Sequence, residues 1–177
     1  MEEFNSAEFR KRLELDFKEM EDYVQRISGL LNEKKGNSEM MNFLIKNSLF
    51  TTVWAFIEHS LRTYAELRTA CDPKLQKKVL KLEKMHQLHS FLHNELSVDV
   101  QKAGEEWGKL DVFRELRNCL IHYHGTVRNT SRKTLLFIKE DDRLVYNEEE
   151  NIFQIKDAGI IEELMETGRR FLLAIAK

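Results

Sequence analysis

A hydrophobic repeat of three to four residues governs most of this chain. Phe9, Leu13, Phe17, Met20, Val24, Ile27 and Leu31 recur at the spacing that gathers side chains on one side of an α-helix. Met41, Leu44, Ile45, Leu49, Val53, Phe56, Ile57, Leu61 and Tyr64 repeat the pattern. Only seven glycines and one proline stand among the 177 residues, so little interrupts such helices. Those counts, with 42% hydrophobic content, exclude a β-sandwich, a collagen-like repeat and a disordered chain.

Boundary residues divide the pattern into elements. Asn5 with Glu8 three positions later resembles a capping box at the start of the first helix, and Lys34-Lys35-Gly36-Asn37-Ser38 interrupts it before the second. The second helix runs toward Cys71. Asp72-Pro73 supplies a cap and a first helical position for a third helix marked by Leu75, Val79, Leu82, Met85 and Phe91. A fourth is expected from about Val98 to His124, weakened by Gly104 and Gly108 and closed by Gly125.

The period then changes. Thr134 to Ile138, Leu144 to Tyr146 and Ile152 to Ile155 are short apolar runs separated by acidic segments, which predicts a β-hairpin or a three-stranded meander. Asp157 opens a last helix through Ile160, Ile161, Leu164, Gly168, Phe171, Leu172 and Ile175. The expected architecture is an all-α, up-and-down bundle of about five helices in one domain over residues 1–177, with a β insertion at about 134–155. A chain of this length can bury roughly 70% of its unfolded surface and needs no disulfide or metal staple. Cys71 and Cys119 form no CxxC pair and read as reduced thiols.

The formal net charge is 28 − 30 = −2, so no global nucleic-acid signature exists. Phosphate contacts depend on where cations sit, which makes their distribution the question. The start, Met1-Glu2-Glu3-Phe4-Asn5, is acidic, and no apolar stretch reaches membrane-spanning length. A cytoplasmic protein without membrane contact is the expectation.

The candidate chemistry lies in Arg114 to Gly125. At about 100° per residue, Val112, Leu116, Cys119, Leu120 and Tyr123 form a core stripe, while Arg114, Asn118 and His122 line the opposite side with Arg117 beside them. Residues 114–133 also carry Arg114, Arg117, Arg128, Arg132 and Lys133 against Glu115 alone. Arginine's fork suits phosphate, and an ordinary histidine exchanges a proton near neutrality. Such a set suits RNA cleavage: histidine moves the proton of the 2′-hydroxyl or of the leaving oxygen, and arginine stabilises charge building on the phosphorane-like transition state.

Arg117-Asn118-Cys119-Leu120-Ile121-His122 resembles the motif of the HEPN family: Arg, four to six residues, then His, with a polar residue commonly after the Arg. Gly125 closing the helix and Trp54-Ala55-Phe56-Ile57-Glu58, similar to the aromatic-plus-acid segment of many members, extend the resemblance across the bundle. The resemblance implies a metal-independent endoribonuclease without cofactor, of the kind found among toxins and antiviral effectors, with a site completed by both protomers of a homodimer. It implies Arg117 and His122 as catalytic and Asn118 as a positioning residue. An antitoxin or another defence-system protein would be a partner. Some HEPN toxins carry, two positions after the His, a Tyr that a nucleotidyltransferase antitoxin modifies; here that position is His124.

Helix arithmetic independently favours a shared site. Arg117 and His122 are five residues apart, about 140° around an ideal helix, and a two-fold partner would bring one protomer's arginine to the other's histidine. Ile121, apolar on the polar face, would be buried at that interface.

Other residues keep two readings. Glu58 either orients Arg117 or His122 or serves as a structural ion-pair partner. Arg114 either contacts phosphate or pairs with an acid, Arg128 and Arg132 of the basic patch are candidate RNA-binding or supporting residues, and His124 either supplies a second proton or only suits a helix C-terminus. His86, His89 and His93 share a helical face and His89 with His93 has the i, i+4 spacing that can grip zinc, yet His86 lies about 10 Å along the axis from His93 and no nearby sequence supplies an obvious third ligand. Lys74, Lys77, Lys78, Lys81 and Lys84 form either a solvated stripe or an RNA guide, and the acidic stretch at 139–151 either solubilises a turn or docks a partner. The alternative to the enzyme is a catalytically silent HEPN module that binds RNA, a nucleotide or a protein.

Overall fold

The computed structural model describes residues 4–33 and 39–177. The expected break at Lys34 to Ser38 lies outside the described residues. Helix α1 spans Ser6–Glu33 and α2 spans Glu39–Thr69. Asn5 opens α1 as the sequence predicts: its Oδ1 accepts from the amides of Ala7 at 3.1 Å and Glu8 at 3.2 Å. Phe9, Leu13, Phe17 and Val24 of α1 are buried, as are Leu49, Val53, Ile57, Leu61 and Tyr64 of α2. The stripe fails at the start of α2, where Met41 and Leu44 are about half exposed, at 50% and 53%.

Where one third helix was expected, the chain makes two, α3 over Pro73–Val79 and α4 over Met85–Leu96. Asp72 caps α3, accepting from the amides of Lys74 and Leu75. Tight turns from Lys81 to Lys78 and from Leu82 to Val79 end it. Gln87 then opens α4, its Oε1 accepting from the amides of Glu83 at 3.1 Å and Lys84 at 3.0 Å. The break has no glycine or proline because this capping replaces them.

The fourth helix is also shorter than predicted. Val98 and Val100 are buried, but Val100–Ala103 is a 3-10 turn, and α5 occupies Gly104–Tyr123. His124 adopts left-handed backbone (φ 51°) and Gly125 follows at φ 88°, both amides returning to the Cys119 carbonyl. This is the helix end that Gly125 marks in the sequence.

The expected first strand, Thr134 to Ile138, is helical: α6 spans Arg132–Glu140. Ser131 caps it by accepting from the Thr134 amide at 3.2 Å, and Thr134 and Ile138, four apart, are buried while Leu136 is exposed. A meander is thereby ruled out. Strands β1 (Leu144–Asn147) and β2 (Ile152–Ile155) form an antiparallel hairpin with Leu144 opposite Ile155 and Tyr146 opposite Phe153.

Helix α7 (Gly159–Ile175) closes the bundle against α1, α2 and α5. Gly168 lets it approach α2 so closely that a Cβ there would collide with the Ile57 side chain. The Tyr64 hydroxyl, its pKa raised by burial, donates to the Ile175 carbonyl at 2.8 Å. The described residues are therefore mostly helical, with one small hairpin before the last helix.

Candidate functional site

Three stretches distant in sequence converge on a cleft of about 600 Å³. Trp54 and Glu58, one turn apart on α2, contribute to it, as do Glu83, Lys84, Met85 and His86 at the start of α4. The C-terminal half of α5 adds Arg114, Glu115, Arg117, Asn118, His122 and Tyr123, and the following loop adds Arg128, Asn129 and Thr130. Trp54 and Met85 are each 3% exposed, which anchors two of these segments in the core.

The polar row read from helix geometry is thus brought together: Arg114, Asn118 and His122 line one cleft, and Arg117 lines it with them. Glu58 and Arg128 join them from other elements. His124, Arg132 and Ile121 do not line it. His124 is taken up in the left-handed helix end, Arg132 starts α6, and Ile121 is 41% exposed. Tyr123 corrects the expected core stripe. Val112, Leu116, Cys119 and Leu120 are buried, but Tyr123 is half-buried and reaches the cleft, with Arg128 stacked over its ring at 5.7 Å.

The cations in the cleft differ in how they are compensated. Arg114 bonds Asp111 at 2.9 Å and approaches Glu115 at 3.6 Å. Arg117 makes no ion pair among the described residues; its Nη1 donates to Asn118 Oδ1 at 3.2 Å. Its Nε is buried and lacks a hydrogen-bond partner. A half-buried guanidinium so little satisfied is a site of excess positive charge that an anion would relieve. Asn118 fixes one edge of that group. Glu58 makes no ion pair among the described residues either, and His122 is exposed at the rim.

The loop after α5 is held by the hairpin. Gly125 and Phe153 bond through carbonyl and amide at 3.0 Å, and Val127 donates to the Asn151 carbonyl at 2.8 Å. The Asn151 side chain donates to the Val127 carbonyl and accepts from the Tyr146 hydroxyl. On the other side Glu115 accepts from the Ser131 amide at 2.7 Å, so its charge is partly used to tie the loop to α5. These bonds aim Arg128, Asn129 and Thr130 into the cleft.

Sequence reasoning did not include Trp54, Glu83, Met85, Asn129 and Thr130 in the site, and treated His86 only as a member of a histidine row. The row divides in the structure. His86 lines the cleft, His93 is exposed, and His89 stacks on Trp107 with ring centres 3.9 Å apart. Burial, then the neighbouring His93, pushes the His89 imidazole below its usual range. Of the lysine stripe, Lys84 lines the cleft and Lys78 pairs with Glu95 at 3.0 Å. In the acidic stretch, Glu148 pairs with Lys139, while Asp141, outside the hairpin turn, holds Arg143. Cys119 is buried, which pushes its thiol up and disfavours the reactive thiolate, and Cys71 is exposed.

Among the described residues no helix is long and apolar enough to cross a membrane. Compared with protein-family models, with curated proteins and with solved structures, the chain has no significant match.

Proposed function

We propose that this chain is a HEPN-like, metal-independent endoribonuclease that cleaves RNA by attack of the 2′-hydroxyl on the adjacent phosphate. The products are a 2′,3′-cyclic phosphate and a 5′-hydroxyl. The observation that carries the reading is the placement of Arg117, a half-buried cation without a carboxylate partner among the described residues, in one cleft with Asn118 and His122. Arg117 binds the phosphate and stabilises its developing charge, Asn118 holds the guanidinium, and His122 moves a proton. DNA lacks the attacking hydroxyl and is not cut.

The active form in this reading is a homodimer built across the exposed face bearing Ile121, and its role is that of a toxin or defence effector restrained by a partner protein in the cytoplasm. The test is incubation of wild type and His122→Ala with labelled total RNA in EDTA, followed by analysis of product ends. Cuts with cyclic phosphate ends that are lost in the variant support the reading. Intact RNA with both proteins, over several substrates and pH values, overturns it.

A second reading rests on the acids of the same cleft. Arg114 is paired with Asp111 and Glu115, and Glu58 and Glu83 also face the cavity, which lowers its net attraction for a polyanion. That composition suits a binding module for a nucleotide, an RNA end or a protein. Binding without cleavage in the same experiment selects it.

A further inference from the structure

Transesterification of RNA needs two proton transfers, one from the attacking 2′-hydroxyl and one to the departing O5′, and His122 is a single group. The resemblance and the sequence nominated no second group with a fixed place: His124, the adjacent candidate, does not line the cleft. His86 does, and it comes from a different element. Its backbone is pinned on both sides, by Met85, buried at 3%, and by Gln87, whose side chain closes the turn at Glu83 and Lys84. The imidazole itself is exposed to the cavity and carries no hydrogen bond to the described residues, so it is free to meet a substrate.

We propose that His86 is the second proton-transfer group of this cleft, acting with His122 on a phosphodiester held at Arg117. The inference rests on the ribonuclease reading. The 2′-oxygen bonds to phosphorus as the P–O5′ bond breaks. One imidazole takes the 2′-hydroxyl proton, and the other, as imidazolium, delivers its proton to O5′; no further reactant is consumed. The two histidines come from different elements, α4 and α5, and line the same cleft, to which α2 contributes Trp54 and Glu58. The charged and other titratable groups facing the cavity from these elements and the adjoining loops are Glu58, Glu83, Lys84, Arg114, Glu115, Arg117, Tyr123 and Arg128.

The experiment measures kcat and KM for a short RNA against pH with wild type, His86→Ala, His86→Gln and His93→Ala. His93 sits on the same helix outside the cleft and serves as the control. Wild type should give a bell-shaped profile of kcat/KM. Both His86 variants should lose about 10²-fold in kcat, with one limb of the bell removed and RNA affinity retained, and His93→Ala should stay within about twofold. Imidazole added to the buffer should restore part of the rate of His86→Ala. If wild type cleaves RNA and the His86 variants keep both limbs and kcat, the assignment is overturned while the ribonuclease reading stands. A rise in KM with kcat unchanged also overturns it and leaves His86 as a binding residue. A wild type inert on RNA removes both.

Discussion

A methyl group placed on Gly125 would come within 2.6 Å of the Phe153 carbonyl oxygen. Gly125 lies at φ 88°, where side chains are strained, and its own carbonyl accepts from the Phe153 amide. The end of α5 and the second strand of the hairpin therefore fit only around a hydrogen atom. Gly125→Ala should destabilise the protein by about 1–3 kcal/mol, read as a shift in urea midpoint. The loop bearing Arg128 should also shift, so RNA cleavage should fall by more than the unfolded fraction accounts for.

Arg117 carries the reading of function, and its geometry is not one a lysine reproduces. A single ammonium cannot bond Asn118 and a phosphate through parallel donors. Arg117→Lys should keep the charge but lose about 10²-fold in cleavage, close to the loss in Arg117→Ala. Recovery of most of the rate in the lysine variant, measured under single-turnover conditions, would reduce the residue's role to charge alone.

Ile121 tests the shared site. It is 41% exposed, so Ile121→Asp should leave the unfolding curve of the isolated chain unchanged. In sedimentation velocity at micromolar concentration the wild type should run as a dimer and the variant as a monomer with little cleavage. A wild type that is monomeric yet fully active would remove the composite site.

His89 sets a pH dependence of stability. Burial, and then the neighbouring His93, holds its folded pKa below the ordinary 6.5 of an imidazole, so the unfolded chain binds the proton more readily. Its contribution is complete above about pH 6.5 and is lost as the pH falls through the lower, folded value. Urea midpoints should therefore decline on acidification through that window, and the decline should be smaller in His89→Phe. Trp107 fluorescence supplies a local readout of the same event.

The sequence reveals the long elements because their stripes outlast local noise. Helices α1, α2 and α7 follow the apolar period, and both hairpin strands fall where alternation and acidic turns put them. Thr134 to Ile138 misleads because five apolar or β-branched residues fit a strand or a short helix equally, and the deciding signal is Ser131 three positions upstream. The break between α3 and α4 is hidden because a glutamine side chain makes it. At the site, the residues of α5 are legible from one helix's geometry. Met85, His86 and Thr130 are not, since only the packing of α4 and the loop brings them alongside, and no periodicity within one segment records that.

For secondary structure the loop that completes the cleft has only an isolated β-bridge, Thr126 to Ile152. The Val127 amide is bonded to Asn151 and the Phe153 amide to Gly125, across more than twenty residues of intervening chain. In amide hydrogen exchange the two should open together, as one cooperative unit, with protection belonging to the hairpin more than to α5. Any event that unzips β1 from β2 would then dismantle one wall of the cavity while the helices stay folded.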